Sequence, residues 1–396
     1  MNTMIGVQSF VEPAQQEIPR NRSQHVLWMA VLLALAGVTN ACGNTNKNRP
    51  HTPSTSTSQI NATFPITNYD GCTGSGRTNC AGAIQAAINA AQSHGGGTVL
   101  IPPGTFLFAA YKPAVIPPGP AITILGSGVS STHLIKAANV GHPTLLRVEA
   151  PHSVVKDLTF DSQKVEGGGS VVLVTTSYVG VDSVSILGGP QTAWPLRFAG
   201  GRGVASPLNP SYAIGNQVNG VNLVDDPPPA DDGLDFSFQK NASIANVTEL
   251  GSRLGLYVDK NVTVSNYHFS PNPAVPPDAA LGYFITAPSS GITITDFTTT
   301  GNGGKIGSIP IGSPRPPNSN IVIDEEHMLN PSYPLFLGDV RNMTIKDSQL
   351  GRVIVNPTYS TVGVIEDPSY HELRTPQAPQ KSALQVIHCT VVQQQQ

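Results

Sequence analysis

Leu234–Asn246 reads LDFSFQKNASIAN, and Leu254–Asn266 reads LGLYVDKNVTVSN. The two segments align without a gap. Each is an apolar alternating strand, a short turn with Asn241 or Asn261, and a second strand ending in Asn246 or Asn266. YFITAPSSGITITD, ending at Asp296, and PLFLGDVRNMTIKD, ending at Asp347, follow the same plan, with Gly291 and Asn342 at the turn. Weaker copies end at Asp324 and Asp367, and an earlier one holds Asp157. From Asn246 to Asp367 the steps are 20, 30, 28, 23 and 20 residues. Such steps are too uneven for a rigid helical repeat and suit solenoid coils whose loops vary in length. One coil cannot bury its own apolar edge, so coils stack at the inter-strand spacing of roughly 4.8 Å. A column of Asn or Asp at one turn lets side-chain amides hydrogen-bond along the stack. That reading also takes the sequons at Asn241, Asn246, Asn261 and Asn342 as structural, and Asn61 with them.

Composition agrees. Only 12% of the 396 residues are charged, with Gly 39, Pro 35 and a normal hydrophobic share of 39%. This fits an all-β exported protein and excludes a disordered chain. Net charge is −3 and no Lys/Arg cluster follows the export segment, which argues against a nucleic-acid partner.

The N-terminal part reads as an export signal, residues 1–41. Arg20 and Arg22 precede the apolar run VLWMAVLLALAGV, Val26–Val38, which is short for a membrane span. Thr39-Asn40-Ala41-Cys42 resembles a bacterial lipoprotein cleavage site, so Cys42 is the expected lipidated residue and the only membrane attachment. The expected location is the bacterial cell surface or periplasm, or the medium if the signal is cleaved in the ordinary way. Residues 42–65 are polar and read as a tether, 66–370 as the solenoid, and 371–396 as a Gln-rich tail. With Cys42 lipidated, Cys72 and Cys80 are the natural disulfide pair, leaving Cys389 over.

Ahead of the repeats, Thr78 and Asn79 precede AGAIQAAINAAQSH, an amphipathic helix with Ile84 and Ile88 on one face. It is expected to cap the open end of the first coil. AIQAAINAAQSHGGGTVLIPPGTFLF, Ala83–Phe108, resembles the opening of the pectate-lyase superfamily. That group includes polygalacturonases, rhamnogalacturonase-like proteins, alginate epimerases and phage tailspikes. The resemblance implies an all-β, single-stranded right-handed parallel β-helix with an N-terminal capping helix, extending to about Asp367. The superfamily's acidic Gly-Asp-Gly loop before the helix is replaced here by GCTGSGRTNC.

Within that group, VNLVDDPPPADDGLDFSFQKNASIAN resembles the polygalacturonase segment most, with Asp232 at the place of its first catalytic aspartate. The next element, Gly-Asp-Asp, reads Gly251-Ser252-Arg253 here, and AALGYF has no histidine where Gly-His-Gly would fall. Alternation turns Leu234, Phe236 and Phe238 inward with Leu254, Leu256 and Val258. Asp235, Ser237 and Gln239 then point outward, as do Arg253, Gly255, Tyr257 and Asp259. Register on the shared turn Asn stacks Asp235 beside Gly255. The expected catalytic face is therefore Asp232, Asp235, Arg253, Tyr257 and Asp259. Trp194 and Arg197 supply a stacking ring and a charge for a sugar, with His268 a further candidate from the second coil. Asp225, Asp226 and Asp231 read as turn residues.

Three functions follow as expectations. The leading one is a glycoside hydrolase on an acidic or cell-wall polysaccharide, with Asp232 as acid and Asp235 or Asp259 as base. A polysaccharide lyase or uronate epimerase would instead use Arg253 with Tyr257 or His268. A non-catalytic glycan-binding surface protein is the third. No metal-ligand spacing occurs; an acidic face suits Ca²⁺, but no calcium motif is present. No cofactor is expected, and the chain reads as a monomer.

Overall fold

The computed structural model describes residues 62–391. Excepted are 70, 139, 163–164, 166–167, 189–193, 201–209, 226–231, 273–280, 308–315, 331–333, 356–360, 367–368, 375–382 and 388–389. The export segment, Cys42, Cys389, Asp226 and Asp231 lie outside the described residues.

The strands are joined by parallel pairings into one 29-stranded sheet, wound as a right-handed β-helix. Each central coil contributes a short front strand and a longer strand that bends halfway. The front strands are Ala114–Ile116, Leu146–Val148, Ser170–Val174, Trp194–Ala199, Asp232–Ser237, Arg253–Tyr257, Leu281–Thr286, Asn302–Gly307 and Pro334–Leu337. Gln239–Gly251, Lys260–Pro271, Ser290–Thr299 and Asn318–Met328 are long strands, and they form the other two faces.

Alternation sends one set of side chains into the lumen, where like sits on like. Phe198, Phe236, Leu256, Ile285, Ile306 and Leu337 form one inward column. Val218, Ile244, Val264, Ile294, Ile323 and Ile345 form another. All twelve are 1% exposed or less. Each contributes about 1.5–3 kcal/mol of burial, which no single coil could realise alone.

The corners explain the recurrent Asn. His152, Tyr178, Gly215, Asn241, Asn261, Gly291, Asn320 and Asn342 lie level along one corner, with φ between 53° and 67°. Asn246, Asn266, Asp296, Glu325 and Asp347 form a second such column at the mid-strand bend, so the weaker copy read as ending at Asp324 turns one residue later, at Glu325. Asn tolerates this left-handed region better than most residues, and its amide bonds along the stack. Asn261 Nδ2 donates to Asn241 Oδ1 at 3.1 Å, Asn266 Nδ2 to Asn246 Oδ1 at 2.7 Å, and Asn342 Nδ2 to Asn320 Oδ1 at 2.6 Å. Asn246 Nδ2 donates to Asn219 Oδ1 at 2.8 Å, so the amides at three sequons are already engaged. Asn246→Ala loses two such bonds and strains the bend, and is expected to cost about 1–3 kcal/mol. Asn246→Gly keeps the backbone at ease and should fall between wild type and Ala in urea midpoint. Equal midpoints for Gly and Ala would contradict the conformational part of this account.

The third corner departs from simple alternation. Phe238 and Val258 take φ of 57° and 61°, so the next residues turn inward, not outward. Gln239 and Asp259 are fully buried there. Backbone donors of one coil meet side-chain acceptors of the next: Gln239 N to Asp259 Oδ1 at 2.6 Å, Asp259 N to Ser289 Oγ at 3.0 Å, and Ser289 N to Asn318 Oδ1 at 3.0 Å. Buried N–H groups that a bend would strand are satisfied this way.

The helix Ala81–His94 packs on the first coil through Ala83, Ile84, Ala87, Ile88 and Ala91. Asn79 Oδ1 accepts from the Ala81 amide at 3.1 Å, and Gly95 ends the helix at φ 93°. Cys72 and Cys80 are disulfide-bonded at its start. Pairing begins at Thr63–Pro65, inside the segment read as tether. It continues through Ser369–Arg374, Ala383–Ile387 and Thr390–Val391, so the stack runs past residue 370 into the segment read as tail.

Candidate functional site

The front sheet carries the acidic segment, and a β-bulge decides which way its carboxylates face. Asp232 pairs with Arg253, and Leu234 with Leu254, so Gly233 is an extra residue in its strand. Plain alternation would give Asp232 the inward side of Leu234; the extra residue brings it level with Asp235 on the outer side. A Cβ on Gly233 would lie 1.6 Å from Glu249 Oε1, so a larger residue would have to displace that buried carboxyl. Asp235 sits beside Gly255, as the repeat register requires.

Each carboxylate meets an arginine from an adjacent coil. Arg253 Nε donates to Asp232 Oδ1 at 2.8 Å. Arg197 Nε lies 3.3 Å from Asp235 Oδ2, an ion pair without the alignment of a hydrogen bond. Ser237 Oγ donates to Asp235 Oδ1. Both aspartates are 2% exposed, whereas the Arg197 and Arg253 side chains are 29% and 20% exposed. Rings complete the face. The Arg197 guanidinium lies 4.0 Å from the Trp194 ring centroid, and that of Arg253 lies 5.1 Å from Phe284. Lys305 Nζ reaches the same Phe284 ring at 5.3 Å, and Tyr257 meets it edge-on at 6.0 Å.

Gly255 is the clearing in this face. A Cβ there would sit 2.5 Å from both the Asp232 carboxyl and the Tyr257 ring. Tyr257 shares hydrogen bonds with Asp232 and Arg253. Burial first, and then the Asp232 charge, hold its phenol protonated far above the usual tyrosine range. Burial pulls the Arg253 guanidinium down, but Asp232 and Tyr257 more than offset it and its affinity for the proton rises. Gly255→Ala is expected to push Asp232 and Tyr257 apart and lower stability by about 1–3 kcal/mol, read as a lower urea midpoint. An unchanged midpoint would show that the clearing is not needed.

The structure thus brings together Asp232, Asp235, Arg253, Tyr257, Trp194 and Arg197. It does not bring in Asp259, which is fully buried at the corner beyond Val258. His268 is exposed but belongs to another face, level with Thr248 and Thr298. Asp225 is buried and accepts from Ser252 Oγ at 2.6 Å. Two residues escaped the sequence reading. Glu249, 1% exposed, lies beneath the bulge and accepts from the Tyr267 hydroxyl. Burial pushes its carboxyl up strongly, the Tyr267 bond opposes this, and the charges of Asp232 and Asp225 add to the rise. The inward alternation of Val247 and Glu249 was the available signal. Phe284 was the other, legible from its register with Gly255. Among the described residues no group of three His, Cys, Asp or Glu side chains is placed to hold a metal ion.

No protein-family model matches the sequence, and no curated protein matches it. Solved structures do. The Agl-KA catalytic domain is 12% identical with a TM-score of 0.51, over 83% of this chain and 68% of that one. The Dettilon tailspike protein is 10% identical with a TM-score of 0.50, over 82% and 68%. The catalytic unit of a GH87 α-1,3-glucanase from Streptomyces thermodiastaticus is 14% identical at 0.49, over 84% and 69%. At these identities the likeness is one of fold: a right-handed parallel β-helix.

Proposed function

We propose that this protein is an exported polysaccharide hydrolase whose substrate lies on the front sheet across Trp194–Tyr257. The observation that carries the reading is the Gly233 bulge, which sets Asp232 and Asp235 on one outer face between stacking rings and cations. Glycoside hydrolysis needs two carboxyls, one to protonate the leaving oxygen and one to act as base or nucleophile. Asp232 and Asp235 fill these roles. Arg197 and Arg253 hold the carboxylates in place and, being part-exposed, offer their outer N–H groups to sugar hydroxyls or carboxylates. Trp194 and Phe284 bound the face with apolar rings suited to sugar faces. Export, with the chain anchored through Cys42, is part of the proposal; the Cys72–Cys80 bond is compatible with an oxidising compartment.

A second reading has its own observation. Both carboxylates are ion-paired and almost covered, as befits a face that binds a glycan without cutting it. One experiment separates the readings: incubation with pectin, alginate, rhamnogalacturonan and neutral glucans, followed by product analysis. New saturated reducing ends support hydrolysis. Unsaturated products absorbing near ~235 nm would assign β-elimination instead. Retention of a polymer without products would assign binding alone.

A further inference from the structure

The front face does not stop at Trp194. Counting back along the paired strands puts Tyr111, Pro143 and Gly169 level on one edge of the front sheet, just ahead of its first three strands. The Trp194 amide continues that edge by donating to the Gly169 carbonyl at 3.2 Å. Tyr111 is 66% exposed, the highest value of any large hydrophobic side chain described. Its ring meets His142 edge-on at 6.0 Å. Gly169 gives His142 its room, since a Cβ there would lie 3.2 Å from the imidazole. The His142 ring is fixed from behind, where Nδ1 accepts from the Thr144 amide at 3.3 Å. On the sheet itself the outward column reads Arg147, Leu173, Arg197, Asp235. Rings thus stand on the first two coils of the edge, at Tyr111 and His142, and again at Trp194, while cations alternate along the face toward the carboxylates. Four strand steps separate the coil of Tyr111 from that of Asp235, roughly 19 Å.

From this continuity we infer a distal binding subsite, formed by the Tyr111–His142 edge and Arg147, that holds a polysaccharide chain lying along the solenoid axis. The class of ligand is an acidic polysaccharide. A polarised ring edge and an exposed phenol stack on sugar faces, and Arg147, paired with Glu149 at 2.7 Å but 41% exposed, stands two strands from Arg197, so that the outer N–H groups of both face a passing sugar carboxylate. The inference rests on the polysaccharide reading above but not on hydrolysis, and only a chain long enough to span the four steps engages it.

The test is native affinity electrophoresis of the full chain through gels carrying polygalacturonate, alginate, rhamnogalacturonan or a neutral glucan. Binding of short oligosaccharides is measured alongside by calorimetry. Wild type should be retarded by an acidic polymer, and Tyr111→Ala should weaken that retention about tenfold. Tyr111→Phe should restore most of it, and tri-saccharide binding should be the same in all three. Polymer retention without cleavage would remove the hydrolase reading and leave the subsite standing. The subsite is overturned if Tyr111→Ala retains wild-type polymer affinity. It is equally overturned if short and long ligands weaken together, or if no acidic polymer retards the wild type.

Discussion

Asp232→Asn is expected to lower turnover of the cleaved polysaccharide by about 10²- to 10⁴-fold, the usual worth of a general acid or base. The substitution keeps the shape of the side chain and removes its charge, so the fold has little reason to fail. Arg253 would lose its 2.8 Å ionic partner, and with it some of the order of the face. Asp235→Asn should fall by a similar factor, because the proposed mechanism has both carboxyls act on one bond. The pair can be told apart on an aryl glycoside whose leaving group needs no proton: the variant of the acid recovers activity there, and the variant of the base does not. Unchanged turnover in Asp232→Asn would remove the proposed hydrolytic mechanism, in which Asp232 and Asp235 are the two acting carboxyls.

Stability should fall as pH rises from acid to neutral, against the usual trend for carboxylates. Glu326 is fully buried, and its carboxyl accepts from the Tyr283 hydroxyl at 3.1 Å. Burial raises its pKa from the usual 4.5 to about 7, with the Tyr283 bond pulling the other way. Between those values the folded protein keeps a proton that the unfolded chain has released. The stabilisation is therefore complete below pH 4.5, shrinks through the window, and is gone above about 7. The difference amounts to about 3 kcal/mol. Glu249 and Asp259 act in the same direction, both pushed well up by burial. Urea midpoints at pH 5 and pH 8 measure the fall, and Glu326→Gln should flatten it. A variant with the wild-type slope would show that Glu326 ionises in the unfolded chain and the folded protein alike.

The solenoid was legible because its cause repeats. An inward column needs an apolar residue at the same place in every coil, and a left-handed corner favours Asn or Gly, so both constraints print themselves on the sequence. Leu256 and Asn261 are readable for that reason. The site was legible where alternation holds, as with Asp235 beside Gly255. It failed where the backbone leaves the extended region. Nothing local to Val258 announces a left-handed turn in a β-branched residue, so Asp259 was expected on the face and is found inside. The bulge was invisible for a related reason: Gly233 reads as an ordinary turn glycine until its partners on the next coil are known. Asp232 was expected on the outer face with Asp235 and lies level with it there, although plain alternation would have turned it inward.

The uneven coil lengths have a practical consequence. Along the bend column from Asn246 to Asp347 the steps are 20, 30, 29 and 22 residues, yet the front register is unbroken, since Gly255, Phe284, Lys305 and Phe336 remain in line. The extra residues of the longest step fall between the strands ending at Pro271 and beginning at Leu281. Loop and scaffold are therefore separable parts. A designer can change the length or chemistry of the chain between Pro271 and Leu281 and leave the row of Asp232 and Asp235 in place, much as a tool head is changed on a fixed shaft.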